Sequence, residues 1–256
     1  MNSNKLKEKL NKGDVSIGSW LSIPSREVVE IMSSGGFEWL AIDMEHSPIS
    51  IETTSHLISN IQANKMEALV RVSSNDQVII KKVLDSGANG IIVPLVNTVE
   101  DAEKVVKYSK YPPIGIRGVG LNRAQGYGNN FFEYKKWQKE DLVLIVQIEH
   151  IDAVNNLKDI LKVDGIDGII VGPYDLSASL GYPGEYHRKE VLGAIEKIEK
   201  ITKKSNKSLG FHVIEANHSL IHKKINEGYN LIAFSLDFIF LGEKIRGEMD
   251  KIKNKL

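Results

Sequence analysis

The segment Leu142-Val-Leu-Ile-Val-Gln-Ile-Glu149 combines an aliphatic run with a polar end. The aliphatic part is typical of a strand that is buried on both faces, as in a parallel sheet. Gln147 and Glu149 follow two residues apart, so they point to the same side of the strand. Because a buried carboxylate is costly unless a cation or a hydrogen-bond donor compensates it, this strand end predicts a functional site.

Seven further apolar runs resemble this one and alternate with amphipathic helical patterns. The predicted strands lie near residues 16–22, 39–45, 67–73, 90–96, 142–149, 168–173, 208–213 and 231–237. The predicted helix caps are Ser25, then Asn75 or Asp76, then Asn97 or Thr98. Eight strand–helix units without a break in composition predict an α/β protein, a single (β/α)8 TIM barrel over residues 1–256. A doubly wound sheet is the structural alternative.

Composition excludes several classes of function. Lys and Arg together number 33, as do Asp and Glu, so the formal net charge is zero and neither a nucleic acid nor a membrane surface is indicated as a partner. Cys is absent, which excludes disulfides and thiolate metal sites. No secretory signal and no apolar run of the roughly 20 residues that span a bilayer is evident. We therefore expect a soluble, cytoplasmic protein.

One predicted connection, residues 111–141, is far longer than the usual loop between a helix and a strand. It is rich in glycine and contains Arg117 and Arg123. Its glycines do not join a first strand to a helix, so they do not form a dinucleotide-binding fingerprint. Two interpretations stay open: a decorated surface loop, or a segment that wraps a neighbouring subunit or reaches the mouth of a barrel.

Polar side chains gather at the carboxyl ends of four predicted strands, where barrel enzymes place their chemistry. They are Asp43, Glu45 and His46, then Arg71, then Gln147 and Glu149, then Asp175. Each one alone has a structural explanation, such as a salt-bridged rim or a core ion pair. Their convergence on one mouth indicates an active site.

The chemistry of these groups suits enolate formation. Two carboxylates without a thiol suit a hard divalent ion such as Mg²⁺ or Mn²⁺. Arg71 offers a planar fork for a substrate carboxylate or an enolate oxygen, and His46 can transfer a proton near neutral pH. None of the predicted strands contains a Lys, which argues against an iminium mechanism.

Several motifs in register carry a resemblance to a known family. They are Asp43-Met-Glu-His-Ser-Pro48, Leu69-Val-Arg-Val72, Tyr111-Pro-Pro-Ile-Gly-Ile-Arg-Gly118, Val146-Gln-Ile-Glu149 and Gly172-Pro-Tyr-Asp-Leu-Ser177. From about residue 16 to 237 the chain resembles the HpcH/HpaI aldolases, which are metal-dependent class II pyruvate aldolases. The resemblance implies reversible cleavage of a 4-hydroxy-2-oxo acid to pyruvate and an aldehyde. It also implies a homo-oligomer, typically a hexamer, and a divalent ion, with Mg²⁺, Mn²⁺ and Co²⁺ all open.

The resemblance also implies roles for single residues. His46 would be the general base, and Arg71 would bind pyruvate and stabilise its enolate. Glu149 and Asp175 would hold the metal, and Asp175 would also lie against the substrate.

Further roles concern the rest of the pocket. Gln147 and the backbone at Tyr174 would contact the pyruvate unit, and Tyr174 replaces a small family residue beside the acceptor. Asp85 matches the Asp that raises the basicity of the catalytic His. The predicted helix puts Asp85 far from its own mouth, so it acts across a subunit boundary or the helix prediction is off; Asp43 is the local alternative. Arg123 is a candidate ligand for an acceptor carboxylate of a neighbouring subunit.

Alternative functions stay open at this point. A related lyase, such as a citramalyl-CoA-type lyase or an oxo-acid decarboxylase, is the nearest alternative, and a non-catalytic barrel that binds a 2-oxo acid is the more distant one. The acceptor aldehyde depends on loop shape and is not readable from the sequence. His212 could reach the mouth, but we expect a packed core histidine.

Overall fold

Eight parallel strands form a closed barrel in the computed structural model, which describes residues 4–254. Each strand pairs with the next, and β8 pairs with β1. The strands are β1 (Ser16–Leu21), β2 (Trp39–Asp43), β3 (Glu67–Arg71), β4 (Gly90–Val93), β5 (Val143–Ile148), β6 (Gly168–Val171), β7 (Ser208–Val213) and β8 (Leu231–Leu236). The predicted TIM barrel and all eight predicted strands are confirmed.

The helices lie outside the barrel wall or close its lower end. They are α1 (Lys5–Lys12), α2 (Arg26–Ser33), α3 (Ile51–Ala63), α4 (Gln77–Asp85), α5 (Val99–Ser109), α6 (Phe131–Glu140), α7 (Ile151–Ile160), α8 (Pro173–Ser179), α9 (Lys189–Thr202), α10 (His218–Asn226) and α11 (Asp237–Lys253). Ser25, Asp76 and Thr98 accept backbone hydrogen bonds at the starts of α2, α4 and α5, as the cap signals predict. Within residues 4–254, no helix has both the length and the apolar character needed to cross a bilayer.

The lower barrel interior is apolar and tightly filled. Leu69, Ile145 and Trp39 pack there, and Leu6 and Leu10 of α1 belong to the same cluster. A Cβ at Gly18 would lie 2.0 Å from the Trp39 ring, so only glycine leaves room for this indole inside the barrel. The lower half of the barrel is therefore a packed core, and chemistry is confined to the upper end.

The long connection folds against the lower end of its own barrel. It contains a short 3-10 segment (Arg123–Gly128) and α6. Arg117 donates to Asp85 at the end of α4 over 2.6 Å, and Gln125 donates to the same carboxylate over 3.2 Å. Within its own chain the connection is thus more than a surface loop, and these contacts keep it at the end opposite the mouth.

Candidate active site

An ion pair between Asp43 and Arg71 anchors the mouth. The two residues are register partners at the ends of β2 and β3, so they face each other across adjacent strands. Arg71 Nε donates to Asp43 Oδ1 over 3.0 Å and Nη2 donates to Oδ2 over 2.8 Å. Burial acts to raise the pKa of Asp43, but the guanidinium outweighs it and holds that pKa below its usual range. The guanidinium also lies 4.4 Å from the ring centre of Trp20, which fixes its plane.

Asp43 also shapes the turn that carries His46. The backbone amides of Glu45 and His46 donate to Asp43 Oδ1 over 3.0 and 3.2 Å. The His46 side chain is 60% exposed, and its Nε2 lies 3.8 Å from Glu45 Oε2. Asp43 therefore orients the His46 backbone, while Glu45 is the acidic neighbour of the imidazole.

Glu149 is buried at the end of β5 with an incomplete set of partners. Its Oε1 accepts from the Leu95 amide over 2.8 Å, and Gln147 Nε2 donates to its Oε2. Burial, followed by the negative charges of Glu45 and Asp175, raises the pKa of Glu149 to about 7. Leu95 holds its amide in place with a φ of 52°, a conformation that few non-glycine residues adopt.

Four carboxylates share the mouth, those of Asp43, Glu45, Glu149 and Asp175. Burial raises the pKa of Glu45 to about 6, Arg71 opposes this shift, and the charges of Asp43 and Asp175 add to it. Glu45 Oε2 lies 3.3 Å from Arg71 Nη1 but is shielded from solvent without a hydrogen-bond partner. Asp175 lies in the first turn of α8 and is exposed at the rim. This excess of negative charge fits the binding of a cation.

The residues present fit a hard divalent ion. A Cβ at Gly172 would come within 2.9 Å of Glu149 Oε2 and 3.0 Å of Gln147 Nε2, so glycine keeps the space beside the carboxylate open. Within residues 4–254, no three His, Asp or Glu side chains form a ready metal cluster. An ion held by Glu149 and Asp175 would take its other ligands from water and substrate, as Mg²⁺ commonly does.

A small cavity of about 60 Å³ lies beneath these carboxylates. Its lining includes Trp20, Arg71, Gln147, Tyr174, Asp175 and His212. The Tyr174 ring lies 5.0 Å from the Tyr186 ring, whose hydroxyl donates to Glu215 over 2.7 Å. The larger side chain at 174 thus belongs to an aromatic wall beside the cavity.

Two predicted site residues lie at the opposite end of the barrel. Asp85 ends α4, as the helix prediction placed it, and pairs with Arg117. Arg123 donates to Ser86 O over 3.0 Å and to Gln62 Oε1 over 2.7 Å. The structure therefore gathers Asp43, His46, Arg71, Gln147, Glu149, Tyr174 and Asp175 at the mouth and leaves Asp85 and Arg123 outside it.

Sequence reasoning missed two participants, Leu95 and Trp20. Leu95 contributes only a backbone amide, which leaves no signal in a side-chain pattern. Trp20 reads as an ordinary core residue, although it is the last inward-facing residue of β1. His212 lines the cavity near the carboxyl end of β7, which agrees with the expectation that it could reach the mouth, and its ring also packs against Trp20 as that of a core histidine would.

Comparisons with known proteins show similarity along nearly the whole chain. A family model described as HpcH/HpaI aldolase/citrate lyase matches residues 16–240. A 2-keto-3-deoxy-L-rhamnonate aldolase of Salmonella paratyphi B is 37% identical over 254 residues, covering 98% of this chain and 94% of the relative.

Solved structures extend the similarity to three dimensions. An HpcH/HpaI aldolase/citrate lyase family protein from Burkholderia cenocepacia J2315 superposes with a TM-score of 0.93 at 29% identity, covering 98% of this chain and 100% of that chain. The citrate synthase SbnG superposes with a TM-score of 0.87 at 31% identity, covering 98% of both chains.

Proposed function

The chain belongs to the HpcH/HpaI aldolase/citrate lyase family and is a carbon–carbon lyase, and we propose that it uses a divalent ion to cleave a 4-hydroxy-2-oxo acid reversibly into pyruvate and an aldehyde. A relative named as a 2-keto-3-deoxy-L-rhamnonate aldolase suggests the substrate class. Six-carbon deoxy sugar acids are therefore the first substrates to test.

Glu149 and Asp175 hold the ion in this proposal, with Mg²⁺, Mn²⁺ and Co²⁺ as candidates. The observation that supports it is the geometry around Glu149: the carboxylate is buried at the end of β5, and Gly172 leaves space open beside its Oε2. When bound, such an ion neutralises negative charge on the carboxylate and 2-oxo oxygens of the substrate.

Arg71 stabilises the enolate in this proposal, and His46 transfers the proton. Arg71 is held by Asp43 and Trp20 before substrate arrives, so its charge can stabilise the enolate oxygen without reorganisation. Gln147 and the backbone at Tyr174 contact the pyruvate unit. His46 accepts the proton of the 4-hydroxyl group, which its exposed position at the rim allows.

Asp85 and His46 of one chain lie at opposite ends of the barrel. In this proposal the Asp85 carboxylate therefore approaches the His46 imidazole of another subunit. A groove of about 500 Å³ opens beside it, between residues of α3 and α4 such as His56 and Lys82. Gly120 lies next to the Asp85 carboxylate, and its neighbours Val119 and Leu121 are exposed. An apolar surface around a partly exposed acid is consistent with a subunit contact that brings this acid to a neighbouring mouth. Arg123, in the same region, stays a candidate for the acceptor carboxylate.

The last helix supports a homo-oligomer, which we propose to be a hexamer. Its exposed apolar residues follow a spacing of three and four, which places them on one face of the helix. They are Phe238, Leu241, Ile245, Met249 and Ile252. A stripe of this length suits burial against another copy of the chain.

A coupled assay tests the proposed reaction. The purified protein is given 4-hydroxy-2-oxo acids of varying tail length with each ion, and pyruvate is detected with lactate dehydrogenase. We expect pyruvate release that EDTA abolishes and added Mn²⁺ or Mg²⁺ restores. Release that is insensitive to EDTA would reject the metal site.

A variant tests the base. His46→Ala should lower turnover by about 100-fold or more while pyruvate still binds, because general-base catalysis contributes on that scale. His222→Ala, at an exposed position of α10, is the matched control. Turnover of the His46 variant at the control level would reject the assignment.

A second candidate function is that of a related enzyme, such as a citramalyl-CoA-type lyase or an oxo-acid decarboxylase, that makes or breaks a carbon–carbon bond in a different oxo acid. The similarity to the citrate synthase SbnG favours it. An oxo-acid decarboxylase would release carbon dioxide from oxaloacetate without an aldehyde product. Assaying aldehyde and carbon dioxide in parallel separates these reactions from aldol cleavage.

A further inference from the structure

The floor of the cavity is a layer of four side chains from alternate strands. Trp20, Arg71, Gln147 and His212 are the last inward-facing residues of β1, β3, β5 and β7. Barrel interiors are built from such layers, which are usually filled with branched aliphatic residues. This layer instead consists entirely of side chains with polar atoms. The Trp20 and His212 rings lie 5.5 Å apart, and both line the cavity.

Three atoms of this layer are buried without a hydrogen-bond partner. They are Trp20 Nε1, Gln147 Oε1 and His212 Nε2. Trp20 is 2% exposed and Gln147 is 3% exposed, so bulk solvent does not satisfy them. Because an unpaired buried polar group is destabilising, three of them around one cavity point to a ligand that completes their hydrogen bonds.

Whether each of these three atoms donates or accepts a hydrogen bond follows from its chemistry and its neighbours. The Gln147 amide nitrogen donates to Glu149, which leaves its oxygen as an acceptor. His212 interacts with the Ser235 backbone through the ring nitrogen other than the unpartnered Nε2. Burial, then the charge of Arg71, lowers the pKa of His212 to about 3, so the ring is neutral and Nε2 carries a lone pair. The Trp20 indole can only donate.

The cavity thus presents one donor and two acceptors, and a ligand hydroxyl group complements both kinds. A methyl group, such as carbon 3 of pyruvate, satisfies none of them. In the proposed function the oxygens on carbons 1 and 2 face the ion at Glu149 and Asp175, so carbon 3 is the position left to carry a substituent.

We propose that Trp20, Gln147 and His212 form a subsite for a hydroxyl group on carbon 3 of the 2-oxo acid. The hydroxyl accepts from Trp20 Nε1 and donates to His212 Nε2 or Gln147 Oε1. The inference rests on the proposed function and extends it, because the same cleavage of a 3,4-dihydroxy-2-oxo acid gives hydroxypyruvate in place of pyruvate. The donor preferred here thus differs from that of the relative named for a 3-deoxy acid. His212 and Trp20 are then specificity-determining residues.

Calorimetric binding of two probes tests the subsite. Pyruvate and hydroxypyruvate differ only by the hydroxyl group, and each is titrated into the Mn²⁺-loaded protein. One well-formed hydrogen bond corresponds to a preference of about tenfold for hydroxypyruvate. His212→Leu should remove most of that preference by weakening hydroxypyruvate, with the pyruvate Kd changed by less than about twofold.

A second variant and a control keep the test independent of folding defects. Trp20→Phe deletes the donor and should also reduce the preference, and His222→Leu on the surface of α10 should leave it unchanged. Equal binding of the two probes to the unmodified protein would overturn the subsite, as would an undiminished preference in both cavity variants. Failure of both probes to bind would overturn the proposed function and the subsite with it, whereas pyruvate binding without a preference would overturn the subsite alone.

Discussion

The barrel contains two buried Arg–Asp pairs, one at each end, with similar chemistry and different surroundings. At the lower end, Arg117 donates to Asp85 over 2.6 Å and lies 4.9 Å from the Tyr111 ring and 5.3 Å from the Tyr134 ring. At the mouth, Arg71 pairs with Asp43 over 2.8 Å and lies 4.4 Å from the Trp20 ring. Each guanidinium is thus held by a hydrogen-bonded aspartate and by at least one aromatic ring.

The difference lies in what surrounds the two pairs. Around Arg117, Gln125 donates to both Asp85 and the Tyr111 hydroxyl, and Tyr134 accepts from the guanidinium, whose Nε is left without a hydrogen-bond partner. Around Arg71, a carboxylate oxygen, an amide oxygen, an indole nitrogen and an imidazole nitrogen lack partners. Within its own chain the lower pair therefore stabilises the fold, whereas the mouth keeps polar groups free for ligands at the expense of stability.

The largest effect should come from the carboxylate at the mouth. Glu149→Gln keeps the shape but removes the negative charge, so turnover should fall by about 1,000-fold, in line with several kcal/mol of lost charge stabilisation. Initial rates of pyruvate release at saturating Mn²⁺ measure this. Glu190→Gln, on the exposed first turn of α9, is the control. Equal loss in both variants would contradict a specific role for Glu149.

Breaking the lower pair should act on stability. Arg117→Met leaves Asp85 without its cation in a largely buried position, which should lower the free energy of unfolding by about 3–5 kcal/mol. Denaturant unfolding measures the loss. Arg188→Met, at an exposed ion pair with Glu185, should change it by less than about 0.5 kcal/mol. A change in the Arg117 variant as small as in this control would show that the lower network is dispensable.

A conservative substitution in the Arg71–Asp43 pair at the mouth should lower catalysis more than stability. Arg71→Lys keeps the charge but loses the planar fork that Asp43 holds, so kcat should fall by about 100-fold with a smaller effect on unfolding. Steady-state kinetics and thermal unfolding of one preparation separate these effects. A variant that unfolds as easily as the Arg117 variant would make the two pairs equivalent.

The smallest effect concerns His212 and pH. Its folded-state pKa of about 3 lies below the ordinary 6.5, so between these values the unfolded chain binds more protons than the folded one. Stability from this group is complete above about pH 6.5 and falls by at most about 1.4 kcal/mol per pH unit as the pH drops. His212→Leu should flatten the dependence of unfolding free energy on pH between 6.5 and 4. An unchanged slope would mean that the imidazole is protonated in the folded state.

The sequence predicted the barrel because its signals are local. Each strand is a short apolar run, and caps such as Ser25 and Thr98 need only their next few residues. The mouth was predicted because a parallel barrel brings the carboxyl ends of all its strands together. Asp85 was also placed correctly at the lower end of its helix.

The features that the sequence did not predict depend on strand register and on contacts between distant parts of the chain. The bidentate pairing of Asp43 with Arg71 follows from the register of β2 and β3, which no local pattern fixes. The role of the Leu95 amide follows from a positive φ in a loop. The exposure of His212 to a cavity depends on Trp20 and Gln147, which come from distant parts of the chain.

The most direct test of the account is a crystal soaked with Mn²⁺ and pyruvate and measured at a wavelength where manganese scatters anomalously. The account predicts one strong anomalous peak within coordination distance of an oxygen from each of Glu149 and Asp175, with pyruvate bound beside Arg71. A peak elsewhere, or pyruvate bound with both carboxylates turned away from the ion, would contradict it.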